Sequence, residues 1–195
     1  MPKLGMEPIR KAALVDATIA EIGEVGTLDV TVSQIARRAG MSSALAHHYF
    51  GGKEQIFLAA MRHVLAVYSA EVRGALMMAG APETRSGARL EALVRASFSA
   101  QNFRREVIAA WLNFYVLAQG NRDAARLLTI YHRRLASNLT HALRPTARGA
   151  APEMAARVAA LIDGVYLRQS LGRGPTDREA AARMVLDAVE CMEAR

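Results

Sequence analysis

Apolar residues recur at spacings of three and four along almost the whole chain, and no stretch alternates apolar and polar residues with a period of two. That pattern restricts the chain to helices packed on helices. Composition agrees: 52% of residues are hydrophobic, supplied mainly by Ala, Leu, Val and Met, and only six of the 195 are proline. No internal repeat or low-complexity segment interrupts the pattern. The expected fold is all-α with about nine helices.

The spacing predicts a first helix over 7–25, followed by Gly26 as a stop. Leu14, Ala17, Thr18, Glu21, Ile22 and Val25 trace its faces, and Lys3, Arg10 and Lys11 form a basic lead. Thr31 with Gln34 three residues on reads as a capping box opening a short helix over 32–38. Ser42 or Ser43 caps a third helix ending near Tyr49-Phe50, and a long fourth runs over 53–78, with Ile56, Phe57, Ala60, Met61, Val64, Leu65 and Tyr68 on its buried side. After a loop over 79–87, helices are expected over 88–102, 104–119 and 123–143. The last pair, over 152–171 and 176–192, follows a second loop and is joined by "GRGP". The domains read from this are 1–52, a head of short helices, and 53–195, a larger helical part.

The third helix, "SSALAHHY", has only one large aliphatic residue. Two short helices joined by Ala39-Gly40-Met41 fit a helix-turn-helix. Ala36 is small where the helices approach, and Gly40 is able to take a positive φ. Ile35, Met41, Leu45 and Phe50 would form its core with Leu14 and Ile22. A helix that enters the major groove must be slim and carry short polar groups in its N-terminal half. Ser42 and Ser43 can bond phosphates or bases, Ala44 and Ala46 permit close approach, and His47 or His48 reaches further. Tyr49 has a hydroxyl for a phosphate, and Lys53 adds a cation at a helix start that favours anions. The competing reading is a short helix inside a larger bundle, with Ser and Ala there for close packing. Adjacent His47 and His48 point about 100° apart on a helix and cannot chelate one metal ion together.

Charge alone does not decide between these. Net charge is +7, yet residues 1–62 hold seven cations (Lys3, Arg10, Lys11, Arg37, Arg38, Lys53, Arg62) against six acids (Glu7, Asp16, Glu21, Glu24, Asp29, Glu54). The single cysteine, Cys191, excludes an internal disulfide framework or a multi-cysteine metal site. No signal peptide or long apolar run is visible, so a reduced cytoplasmic setting without membrane attachment is expected. There is no HExxH, no paired Glu-x-x-His and no nucleophile with a base, and enzyme activity, cofactor and metal are not expected. His132 and His141 are lone on a mostly basic helix. A helical module docking another protein remains the other non-enzymatic reading.

The stretch "TVSQIARRAGMSSALAHHYFGGKEQIF" resembles the DNA-binding head of the TetR family of bacterial repressors, with Met41 where valine is usual and Ala44 where many members carry glycine. "MPKLGMEPIRKAALVDATI", "HYF", "AAMR" and "AALIDGVYLR" resemble that family's choline-responsive repressors of glycine betaine synthesis. The resemblance implies phosphate contacts at Thr31, Ser33, Ser42, Tyr49 and Lys53. It implies base readout at Ser43, Ala44, Ala46, His47 or His48, a palindromic double-stranded operator, and choline as effector. Another pathway with a different small hydrophobic or cationic ligand is the alternative. Arg37 and Arg38 fit a solvated surface or an acid pair as well as DNA.

Downstream, Trp111, Phe114 and Tyr115 lie close on one helix, with Phe98 and Phe103 before them and Tyr131 after. Core packing is the default for such a cluster. The alternative is an aromatic pocket for a quaternary ammonium, which aromatic faces attract, with Asp163 or Glu106 as counter-charge. In the last two helices, Val158, Leu161, Ile162, Val165 and Tyr166 combine with Ala181, Met184, Val185, Ala188, Val189 and Met192. That is more apolar surface than one stripe needs, and a homodimeric four-helix interface would use it.

Overall fold

The computed structural model describes residues 5–80, 87–147, 149–172 and 174–193. The described residues form nine helices and no strand: α1 (Met6–Val25), α2 (Val32–Arg38), α3 (Ser43–Phe50), α4 (Lys53–Met78), α5 (Ala88–Ser97), α6 (Arg105–Gly120), α7 (Arg122–Leu143), α8 (Ala151–Leu171) and α9 (Arg178–Glu193). Lys3 and most of the loop expected over 79–87 lie outside the described residues, as does one residue of each of the two later loops.

Contacts divide the chain into two compact units, residues 1–64 with 105–125, and residues 65–104 with 126–195. The first unit takes in α6, late in sequence, because it packs on α1, together with the first turns of α4.

In the first unit α1 packs on both α2 and α6, and α2 on α3. Leu14, Ile22, Ile35 and Ile56 are sealed at its centre. Met41, Leu45 and Phe50, expected in the same core, are only half-buried. The small Ala46 takes the fully buried position on α3, where a larger side chain would hold the helices apart. Gly26 ends α1 with its N–H on the Ile22 carbonyl, 2.8 Å.

In the second unit α9 packs on α5 and α8. The periodicity of α5 runs on toward residue 102, yet the helix stops at Ser97. Phe98 turns inward against Phe103 and Tyr166, with ring centroids 5.1 and 5.6 Å away, and Asn102 Nδ2 donates to the freed Ala96 carbonyl at 3.0 Å. The last helix starts at Arg178 because Asp177 accepts from the Ala180 N–H, 2.9 Å, as its cap. Val158, Ile162, Val165, Ala181, Val185 and Val189 are buried within the chain. Leu167, Leu171 and Met184 keep large apolar side chains in solvent.

Candidate nucleic-acid interface

The helix-turn-helix is built by caps. Thr31 accepts from the Gln34 N–H at 3.2 Å while Gln34 Oε1 accepts from the Thr31 N–H at 2.7 Å, the reciprocal pair that opens α2. The turn is closed by Ala39 N–H on Ile35 O, Gly40 N–H on Arg37 O and Met41 N–H on Ala36 O. Gly40 sits at φ +67, where a Cβ would be strained. Ser42 then caps α3, its Oγ accepting from the Leu45 N–H at 3.2 Å.

A second link joins the two first turns: the Ser43 hydroxyl lies 3.0 Å from Ser33 Oγ and donates to it. The outward face so formed carries Ser33, Ser42, Ala44, His47 and His48, all exposed, with Ser43 partly so. Lys53 is exposed at the start of α4, its ammonium 5.5 Å from the Phe57 ring centroid.

Hydroxyl bookkeeping sorts the expected phosphate ligands. Ser33, Ser42 and Tyr49 each accept a bond, from Ser43, the Leu45 N–H and Arg10 Nη1 respectively, and each retains its O–H proton for an incoming oxygen. Thr31 differs, because its O–H is directed at Gln34 Oε1, 2.8 Å away.

His47 Nδ1 is 3.2 Å from the Gly51 carbonyl, and the Gly51 N–H returns a bond to His47 O at 2.7 Å. Gly51 manages this double contact at φ +82, open to glycine without cost. Since a carbonyl only accepts, Nδ1 carries a proton, and Nε2 is the ring nitrogen not used in this contact. His48 instead tilts onto Tyr49, centroids 5.5 Å apart.

Ala46 does not belong to this face. It has no solvent exposure, so its part in base readout is corrected to close packing. Arg38 is also otherwise engaged. Its Nε lies 2.6 Å from Glu21 Oε1 and a second nitrogen pairs with Glu24. The Glu21 bond, with its charge, holds the guanidinium pKa above the usual arginine range.

The aromatic residues expected to hold an effector fall into groups. Trp111 meets Phe114 and Tyr115 on α6 in the first unit, at 6.1 and 6.0 Å. In the second unit Phe98 and Phe103 close on Tyr166, all three buried. Tyr131 instead meets Tyr68 edge-on at 5.4 Å, and Asp163 faces His132 at 3.9 Å. Tyr68 lies on the buried stripe expected of α4. Its phenol donates to Ser97 Oγ, 3.3 Å, because Ser97 sends its own proton to Leu93 O. Burial pushes Tyr68 up to about 12, and the Asp163 charge adds to the shift. Glu106, the other counter-charge considered, packs against Gly23 of α1.

A capped helix-turn-helix with a slim polar face, on an all-helical chain, defines a DNA-binding regulator. Residues 14–60 match the family described as bacterial regulatory proteins, tetR family, and residues 86–192 match the C-terminal region of the BetI-type transcriptional repressors. The chain is 49% identical to the HTH-type transcriptional regulator BetI of Brucella suis biovar 1 over 97% of its length and 94% of that protein's. For BetI of Rhizobium meliloti the identity is 48%, over 97% and 92%. A transcriptional regulator from Pseudomonas aeruginosa PAO1 superposes with a TM-score of 0.79 at 26% identity, covering 98% of this chain and 93% of that one. One from Saccharomonospora viridis, solved in complex with choline, gives 0.76 at 22%, covering 92% and 95%, a likeness of fold. The chain belongs to the TetR family of transcriptional regulators, and within it to the BetI type. No helix of the described residues is long and apolar enough to cross a membrane.

Proposed function

We propose that this chain represses genes of choline-to-glycine-betaine synthesis and choline uptake, binding a palindromic operator as a homodimer and responding to choline. The observation that carries the reading is the outward face of α3. Ser43, Ala44 and His47 offer a hydroxyl, a methyl and an imidazole there, with no bulk on the helix's N-terminal half. These suit base edges in the major groove, while Ser33, Ser42, Tyr49 and Lys53 suit the flanking phosphates. Leu167, Leu171 and Met184, exposed on the last two helices, support a two-fold interface. Two heads related by that axis would meet half-sites about 34 Å apart.

For choline, Tyr68, Tyr131 and Asp163 supply what a quaternary ammonium needs: aromatic faces and one carboxylate, without reliance on N–H donors. The rings attract such a cation by roughly 0.5–2 kcal/mol each. A coupling of about 1–3 kcal/mol between effector and operator suffices for regulation. Calorimetry with choline and its neutral carbon isostere tests the assignment. Saturable heat with choline alone, lost in Asp163→Asn and Tyr131→Leu, is the expected result. Equal heats for the two compounds, or none, contradict it.

A further inference from the structure

A polar cleft of about 360 Å³ lies in the second unit, walled by Arg89 of α5, by Ser137, Asn138, Thr140 and His141 of α7, and by Arg144 just beyond it. Among the described residues, Leu76 is its one apolar lining residue and no acid lines it. The volume is at the small end of small-molecule pockets. Neither the DNA-facing residues nor the Tyr68–Tyr131–Asp163 group takes part in it.

Arg89 is fixed there by the end of α4. Its Nη1 donates to Gly80 O at 2.7 Å and to Leu76 O at 3.4 Å. Among the described residues that leaves the edge formed by Nε and Nη2, the edge with which a guanidinium grips an oxyanion through two parallel bonds. Nε is buried and has no hydrogen-bond partner among the described residues. An unmet donor shielded from water is costly, and an oxyanion drawn against this edge removes the cost.

The opposite wall repeats the chemistry. Ser137 lies three and four residues before Thr140 and His141, and these lie four and three before Arg144, so the four share one side of the end of α7. Arg144 is exposed and makes no ion pair among the described residues. A cation at a helix C-terminus often serves only the helix dipole. Here the Arg144 side chain makes no hydrogen bond to a helix carbonyl among the described residues, and the Thr140 and Leu143 carbonyls are met by backbone N–H groups. Two guanidinium groups and no carboxylate among the described lining residues match a dianion, and a phosphate group carries about −1.5 to −2 at neutral pH.

We propose that this cleft binds a small phosphate-bearing molecule, its dianionic group held between Arg89 and Arg144. Inorganic phosphate is the probe, titrated into the full chain by calorimetry and thermal melting, with chloride at matched ionic strength as reference. The expected result is saturable binding with a rise in melting temperature that chloride does not reproduce. Arg144→Gln, a surface change that leaves the α4 cap intact, weakens it about tenfold or more, a loss in the range of one charge-assisted bond. Arg133→Gln, equally cationic and outside the cleft, leaves it unchanged. Phosphate held by the DNA-binding head would survive Arg144→Gln, and that outcome overturns the proposal. So does a non-saturable response, or an equal loss in Arg133→Gln.

Discussion

Gly23 of α1 and Glu106 of α6 touch with no space for a side chain between them: a Cβ on residue 23 would lie 2.3 Å from Glu106 Cβ and 2.6 Å from its Cα. Nearby, Asn113 Nδ2 donates to Gly26 O at 3.1 Å, and at the far end of α6 Asn121 bonds Glu54 at the start of α4. The first unit is thus closed by α6 against the backbone of α1. Gly23→Ala must push the helices apart, and overpacking of this kind costs about 1–3 kcal/mol. Gly74→Ala, mid-helix in α4 with nothing within 4 Å, is the opposite case and gains about 0.4–1 kcal/mol. Thermal melts of the two variants should move in opposite directions; a neutral Gly23→Ala contradicts the packing argument.

Arg38 holds α2 to α1 through Glu21, a nearly buried carboxylate, and Glu24. Arg38→Gln strands the Glu21 charge and lowers the melting temperature, whereas Arg37→Gln does not. Sequence preference on DNA is expected to survive in Arg38→Gln protein that is still folded. A change in preference would instead place Arg38 among the base-reading residues.

On DNA, Lys53→Ala is expected to weaken binding to all sequences alike and to reduce the slope of log affinity against log salt by about one. His47→Ala behaves differently: it relaxes preference at one base position, costing about 1–3 kcal/mol against the best base there. Binding to a set of single-base operator variants separates the two. If both substitutions acted uniformly, His47 would be a backbone contact.

Tyr68 gives an alkaline signature. Its folded pKa of about 12 exceeds the ordinary tyrosine value near 10, so the fold favours the protonated phenol. The stability it contributes is complete below pH 10 and is lost as pH rises toward 12, because the unfolded chain ionises first. The midpoint of denaturant unfolding should fall with pH across that interval in the natural chain, and fall less in Tyr68→Phe. Identical pH dependence in the two excludes the buried phenol as the cause.

Helix existence was legible from spacing because each helix buries one stripe, and the ranges for α2 and α4 agree with the structure to the residue. The end of α5 was not, because the aromatic packing of Phe98 and the Asn102 cap are long-range events. Ala46 was misassigned for a related reason. A small residue on a slim helix suits close approach to DNA and to a neighbouring helix equally, and periodicity in eight residues does not separate the two faces. The Thr31–Gln34 pair was readable because a capping box is local. The grouping of Tyr68 with Tyr131 and Asp163 was not legible, since an aromatic on a buried stripe looks like core until residues of other helices arrive.

The central claim is that the outward face of α3 reads a base sequence. Equilibrium binding of the full chain to its own upstream palindrome and to a shuffled duplex of equal composition, both at physiological salt, tests it most directly. The account predicts a preference for the palindrome of about a thousandfold or more, largely abolished when Ser43 and His47 are both changed to Ala. Equal affinity for the two duplexes would contradict it.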